Sequence, residues 1–212
     1  MRCAMKRVVI FGSTGNTGLC SLRTAVEKGL KVRAFVRDKT KIPEDLKDKV
    51  EAFIGDVTNA KEVAKAVADT NAVVVVLGTR QDLNPTTVLS QGMRNIVHAM
   101  KTHNVGLVSV CLSVEFLEFL FDSAAPVIFQ DVVDEHQRML DIIKSSDLKW
   151  VAICPRAIAE MPKKEYTITF DVHSKPGVII SKYDLGAFLV ECLEKPDYYQ
   201  KIIGISNTAY LW

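Results

Sequence analysis

The chain lacks an apolar run long enough to cross a membrane. Away from the N-terminus its greasiest stretch, Val114 to Phe121, is broken by Glu115 and Glu118. It falls far short of the roughly twenty residues that a spanning helix needs. The charged segment Met1–Lys6 is followed by only the short apolar run Val8–Gly12, so no export signal is expected. Charge of one sign is also missing. The 27 Lys and Arg against 25 Asp and Glu leave a formal +2, which gives no general attraction to nucleic acid or to a membrane surface. The five cysteines (Cys3, Cys20, Cys111, Cys154, Cys192) are scattered and form no CxxC pair. They read as reduced thiols of a cytoplasmic protein, with neither a disulfide frame nor a zinc site. The four histidines, His98, His103, His136 and His173, are dispersed too, so no metal site is expected. No repeat, low-complexity tract or linker interrupts the chain, and residues 1–212 are expected to form one domain.

What is present is alternation. Short β-rich runs occur at Arg7–Phe11, Lys31–Val36, Glu51–Ile54, Ala72–Leu77, Leu107–Leu112 and Trp150–Cys154, several of them almost wholly apolar. Strands buried on both faces have this composition. Between them lie helical stripes: Leu19, Leu22 and Val26, closed by Gly29; Val88, Gly92, Ile96 and Met100; Val132, His136, Met139 and Ile143; Leu185, Phe188, Leu189 and Cys192. Such alternation predicts an α/β fold of the Rossmann type, a doubly wound parallel sheet. Beyond Pro155 the pattern is less regular. Tyr166–Phe170, Gly177–Ile180 and Lys201–Ile205 read as short strands of a small C-terminal substrate lobe or sheet extension.

The first strand runs directly into Gly12-Ser-Thr-Gly15-Asn-Thr-Gly18 and then a helix. This is the strand–turn–helix setting that a dinucleotide's pyrophosphate requires. Gly12 allows the tight turn, Gly15 lets the backbone reach the phosphates, and Gly18 lets the helix pack on the strand. The helix N-terminus offers free N–H groups, and Thr14, Asn16 and Thr17 add side-chain donors. A ligand-free glycine turn is the plain alternative, weakened by this position in the alternation. NAD-specific proteins place a carboxylate about 20 residues on, for the ribose hydroxyl. Here the second strand ends Arg37-Asp-Lys-Thr-Lys41. Arg37, with the nearby lysines, suits a 2′-phosphate and therefore NADPH. Asp38 either points to solvent or braces Arg37.

The Tyr-x-x-x-Lys proton relay of many short-chain dehydrogenases is absent: Phe170 follows Tyr166 at that spacing, and Ala187 follows Tyr183. The hydride acceptor must therefore need little help from a protein acid. Ser113, just past the fifth strand, is the candidate for orienting the nicotinamide or acceptor, with a strand-end cap as its bland reading. Cys111 carries no mark of a nucleophile. The segment Val114–Phe129 reads as a greasy cover for a planar ligand or as local packing. His136, on an apolar helix face, reads as a buried structural histidine.

Several stretches together carry a resemblance: Ile10-Phe-Gly-Ser-Thr-Gly-Asn-Thr-Gly18, Val36-Arg-Asp38, Gly55-Asp-Val57, Leu77-Gly-Thr-Arg80, Pro85-Thr-Thr87, Arg94-Asn-Ile-Val97 and Ile180-Ser-Lys-Tyr-Asp-Leu-Gly186. Through them the chain resembles the NADPH-dependent flavin and biliverdin-IXβ reductases, an atypical branch of the short-chain dehydrogenase superfamily. That resemblance implies a monomer passing hydride from NADPH to a flavin or tetrapyrrole. It implies that Asp56 and Val57 hold the adenine and that Arg37 and Lys41 hold the 2′-phosphate. Leu77, Gly78, Arg80, Cys111, Pro155 and Ile158 would border the cofactor, with Ser113 at the active site. Ala157 stands where that family carries a substrate-facing histidine. A cofactor-sensing regulator of the NmrA-like kind and an NADPH quinone reductase are the competing expectations.

Overall fold

The computed structural model describes residues 6–79, 82–113, 129–170 and 178–207. Its strands are β1 (Arg7–Phe11), β2 (Lys31–Val36), β3 (Val50–Ile54), β4 (Ala72–Val75), β5 (Leu107–Cys111), β6 (Lys149–Pro155), β7 (Ala157–Ala159), β8 (Tyr166–Thr169), β9 (Ile179–Ser181) and β10 (Lys201–Asn207). The helices are α1 (Asn16–Glu27), α2 (Glu44–Lys47), α3 (Ala60–Val67), α4 (Val88–Thr102), α5 (Gln130–Lys144) and α6 (Lys182–Glu191).

Eight strands form one sheet in the order β3-β2-β1-β4-β5-β6-β10-β8. Every pairing is parallel except that of β8, which runs antiparallel along β10. The alternating side chains of β1 show why the sheet needs helices on both faces. Val9 and Phe11 enter a core shared with α3, α4 and α5, while Val8 and Ile10 enter one shared with α1 and α6. This is the doubly wound α/β arrangement that the alternation predicts. The strand order reverses at β1, opening a crevice between the C-terminal ends of β1 and β4, where such sheets bind ligands.

Several boundaries differ from expectation. The run Ala72–Leu77 is strand only to Val75. The Val76 N–H still donates to the Phe11 carbonyl at 2.9 Å, and the chain then leaves the sheet across the crevice. The C-terminal third divides in two. β10 and β8 extend the main sheet, whereas β7 and β9 form a separate parallel pair. α3 was not expected from the sequence: its apolar face is short, with only Val63, Ala66 and Val67 buried. Its N-terminus is capped by the Asn59 carboxamide, which accepts the Lys61 N–H at 3.1 Å.

Arg33 closes the other end of α3. It is buried in β2, yet its guanidinium donates to the carbonyls of Ala66 (2.7 Å) and Ala68 (2.8 Å) and pairs with Glu51 at 3.0 Å. Charged hydrogen bonds to otherwise orphaned helix carbonyls are worth more than neutral ones. Arg33→Met should therefore lower unfolding free energy by about 2–4 kcal/mol, read from a urea melt.

Candidate active site

The glycine loop is built from close backbone approaches. Gly12 has φ +77°, and a Cβ there would lie 2.2 Å from the Val76 carbonyl oxygen. At Gly18 a Cβ would lie 2.1 Å from the Gly12 carbonyl oxygen, so α1 rests directly on the turn. Gly15, the N-cap of α1, differs: a Cβ there meets only the Gly12 carbonyl oxygen, at 3.3 Å, with open space beyond. No side chain caps α1 and no acidic residue lies in its first turn. Its N–H groups and partial positive charge thus remain available to an anion. The buried Ser13 hydroxyl donates to the Phe35 carbonyl at 3.1 Å and ties the loop to the end of β2.

A cleft of about 1030 Å3 runs from this loop along the C-terminal edge of the sheet. Gly12, Thr14, Gly15, Asn16, Thr17 and Gly18 line it near α1, and Arg37, Asp56 and Val57 line it beyond β2 and β3. Asp38 does not brace Arg37. Its carboxylate accepts the Thr40 N–H (2.9 Å) and hydroxyl (2.6 Å), and these bonds hold its pKa below the ordinary carboxylate value. Asp56 is occupied in the same way by Thr58, at 2.8 and 2.6 Å, and its pKa is lowered chiefly by those bonds, with a smaller contribution from the Arg37 charge. Val57 is set from behind by Asn95 of α4, whose amide donates to the Val57 carbonyl at 2.9 Å.

At the other end the lining comprises Leu77, Gly78, Thr79, Asp82, Val88, Leu89, Cys111, Ser113, Val132, His136 and Ile158. Burial pushes the Cys111 thiol up to about 12, which leaves it protonated and inert. Ser113 is exposed to the cleft, and its backbone N–H, not its hydroxyl, meets the imidazole: the bond to His136 Nδ1 is 2.6 Å. The pair is thus no nucleophile–base dyad.

His136 is buried, as its apolar helix face predicts, but it also lines the cleft and supports the strand end that carries Ser113. Burial drives its pKa down to about 4, only partly opposed by the neighbouring Glu135 charge. Glu135 is itself fully buried. One oxygen accepts the Ser90 N–H at 2.7 Å, in the first turn of α4, where Thr87 supplies no side-chain cap. The other accepts Arg138 Nε at 2.8 Å.

The structure therefore brings Ser113, Cys111, Leu77, Gly78, Ile158, Val57, Asp56, Arg37 and the whole glycine loop to one cleft. Lys41 and Pro155 do not line it. Lys41 closes an exposed 3-10 turn, and Pro155 is buried at the end of β6. Arg80 and nearly all of Val114–Phe129 lie outside the described residues. The lining also includes Val76, Thr79, Asp82 and His136, none of which the sequence places at the site. The i, i+4 spacing of Val132 and His136 on one helix stripe was the available signal.

A parallel sheet with a glycine turn, an uncapped helix and an extended cleft at its switch point defines a dinucleotide-binding Rossmann protein. Residues 12–196 match the family model described as NAD(P)H-binding, and the chain belongs to that family. An oxidoreductase of Pestalotiopsis microspora is 22% identical over 96% of this chain and 86% of its own length. A short-chain dehydrogenase/reductase of Veillonella parvula, solved in complex with NADP, superposes with TM-score 0.80 at 17% identity, covering 98% of this chain and 97% of that one. ChuY, an anaerobilin reductase of Escherichia coli O157:H7, superposes with TM-score 0.78 at 17% identity, covering 94% and 96%. These structural likenesses establish the fold. No helix among the described residues is long and apolar enough to cross a membrane.

Two predictions follow from this geometry. At Gly15 a Cβ meets the backbone only at the Gly12 carbonyl oxygen, at 3.3 Å, so Gly15→Val should abolish NAD(P)H binding in titration calorimetry while the thermal melt stays close to the parent's. Gly18→Val should instead lower the melt itself. The depressed His136 pKa predicts acid sensitivity. Between pH 6.5 and 4 the unfolded chain takes up a proton that the folded chain refuses, so stability is full above this window and falls with pH across it. The loss is about 3 kcal/mol, from the size of the shift. His136→Gln should flatten that part of the pH–stability curve.

Proposed function

We propose that this protein is an NADPH-dependent reductase that passes hydride to flavins, with biliverdin-IXβ as a further acceptor. The observation that carries the cofactor half is the Arg37 guanidinium on the cleft wall, with the Asp38 carboxylate engaged by Thr40 and not by Arg37. The residues fit a dinucleotide: the space a Gly15 side chain would fill is open, and the N–H groups at the start of α1 face it. NADPH, when bound there, supplies a hydride. The glycine loop and the start of α1 would hold its phosphates, and Ser113, at the inner end of the cleft, would be the hydrogen-bonding group that orients the nicotinamide or acceptor.

The acceptor half rests on the far wall. Leu77, Val88, Leu89, Val132 and Ile158 are apolar, and no tyrosine or lysine is among the described residues lining the cleft. An acceptor that draws its final proton from water suits such a wall, and a flavin does so. We take residues 1–212 as one domain acting as a monomer in the cytoplasm. The NmrA-like sensor reading keeps the same cofactor site without turnover.

NADPH absorbance with and without FMN separates the two. FMN-dependent decay supports the reductase, and tight NADPH binding without decay overturns it in favour of the sensor. On the cofactor side, Arg37→Ala should weaken NADPH binding by one to two decades, since a charge-assisted bond contributes about 1.5–3 kcal/mol, and leave NADH binding nearly unchanged. Equal affinities of the parent protein for the two nucleotides would count against the assignment.

A further inference from the structure

Glu135 is a fully buried carboxylate that lines no part of the cleft, yet it joins two helices that do. From α5, one of its oxygens accepts the Ser90 N–H of α4 at 2.7 Å. The other accepts Arg138 Nε at 2.8 Å, and Arg138 Nη2 donates to the Thr86 carbonyl, just ahead of α4, at 3.2 Å. Ser90 directly follows Val88 and Leu89, and Glu135 lies less than one helical turn past Val132. Those three apolar side chains line the inner end of the cleft. Val88 is 45% exposed, so apolar surface stands open there. Cohesion of the two helices has another source. Further along, Met93 and Ile96 of α4 share a buried core with Met139 and Ile143 of α5. A buried carboxylate is costly, and apolar residues of like volume often serve stability as well or better. What apolar contacts do not supply is direction. They permit small slides, whereas the bonds to Ser90 and Thr86 fix the height and rotation of the start of α4 against α5.

We infer that Glu135 is a positioning residue for the hydride acceptor: by clamping the first turn of α4 to α5, it sets the spacing of Val88 and Leu89 against Val132, the apolar surfaces that receive a flat ring. This rests on the reductase reading above and names what holds the acceptor's place. Glu135 acts only through the two helices and moves no proton. The nucleotide end is fixed by other contacts. Gly12 and Gly18 set the phosphate loop, and Asn95, more than a turn further along α4, donates to the Val57 carbonyl at 2.9 Å. Loss of the clamp therefore frees the first turn of α4 and leaves the cofactor cradle in place. The acceptor then meets correctly spaced walls in only a fraction of the molecules, and its apparent affinity falls by that fraction. Preorganisation of this kind acts on binding, because the cost of ordering the walls is otherwise charged to the ligand.

The test uses the whole protein with riboflavin as the probe, at a temperature below the melt of every variant. Two quantities are read: the KM for riboflavin, and its Kd for the NADP+-loaded protein from quenching of flavin fluorescence. Glu135→Ala should raise both by about tenfold. Its kcat should fall by less than about threefold and its NADPH affinity should stay within about twofold of the parent's, the pattern of lost binding rather than lost chemistry. Glu135→Gln keeps the volume and an oxygen for the Ser90 N–H but turns an amide N–H toward Arg138, so it should fall between the parent and Glu135→Ala. If Glu135→Ala does not fold, Glu135→Gln is read by the same criteria. A lowered melt with the parent's riboflavin KM and Kd, or an equal loss of riboflavin and NADPH affinity, overturns this assignment and leaves the reductase reading intact. A parent protein that binds NADPH but neither binds nor reduces riboflavin overturns the reductase reading, and this assignment with it. One that binds riboflavin without reducing it overturns the reductase reading alone, because the fluorescence measurement still decides the role of Glu135.

Discussion

The close backbone approach of α1 to the turn after β1 governs the rest of the fold. With a Cβ on Gly18 placed 2.1 Å from the Gly12 carbonyl, helix α1 has no room to stand anywhere but against the turn that leaves β1. That contact aims the helix N-terminus at the C-terminal edge of the sheet. It also fixes where an anion can be neutralised, because the N–H groups and the partial charge of α1 act only within about a turn. Ser13 ties the same loop to the end of β2, next to the Arg37 region. The three glycines thus divide their labour: Gly12 and Gly18 are required by the fold, and Gly15 by whatever lies in front of it.

The second centre is the buried carboxylate of Glu135. A lone buried carboxylate is expensive, and this one is satisfied at both oxygens, by the Ser90 N–H and by Arg138. It stands in for the side-chain cap that α4 lacks and joins α4 to α5. Its neighbour in sequence, His136, points the other way and supports Ser113. Two adjacent residues on one helix therefore couple the stability of the helical layer to the geometry at the inner end of the cleft.

Much of this was legible in the sequence, because it depends on local rules. Apolar runs bounded by turns gave the parallel strands to within a residue or two, since a strand buried on both faces tolerates nothing else. The glycine spacing placed the loop, because each glycine answers a backbone requirement and not a side-chain preference. Arg37 could be placed on the cleft because its distance along the chain from the loop is set by one helix and one strand.

What remained to the tertiary structure was pairing across long separations. Nothing local says that Asp38 turns to Thr40 rather than to Arg37, that Lys41 ends on an exposed turn outside the cleft lining, or that Asn95 sets Val57 from a helix 38 residues away. Least of all could the sequence decide the role of His136. Its place on an apolar stripe predicts burial, and it is buried. A hydrophobic period, however, reports only which face of a helix turns inward. Whether that face meets a packed core or the wall of a cleft depends on where the sheet ends, and only the folded chain fixes that.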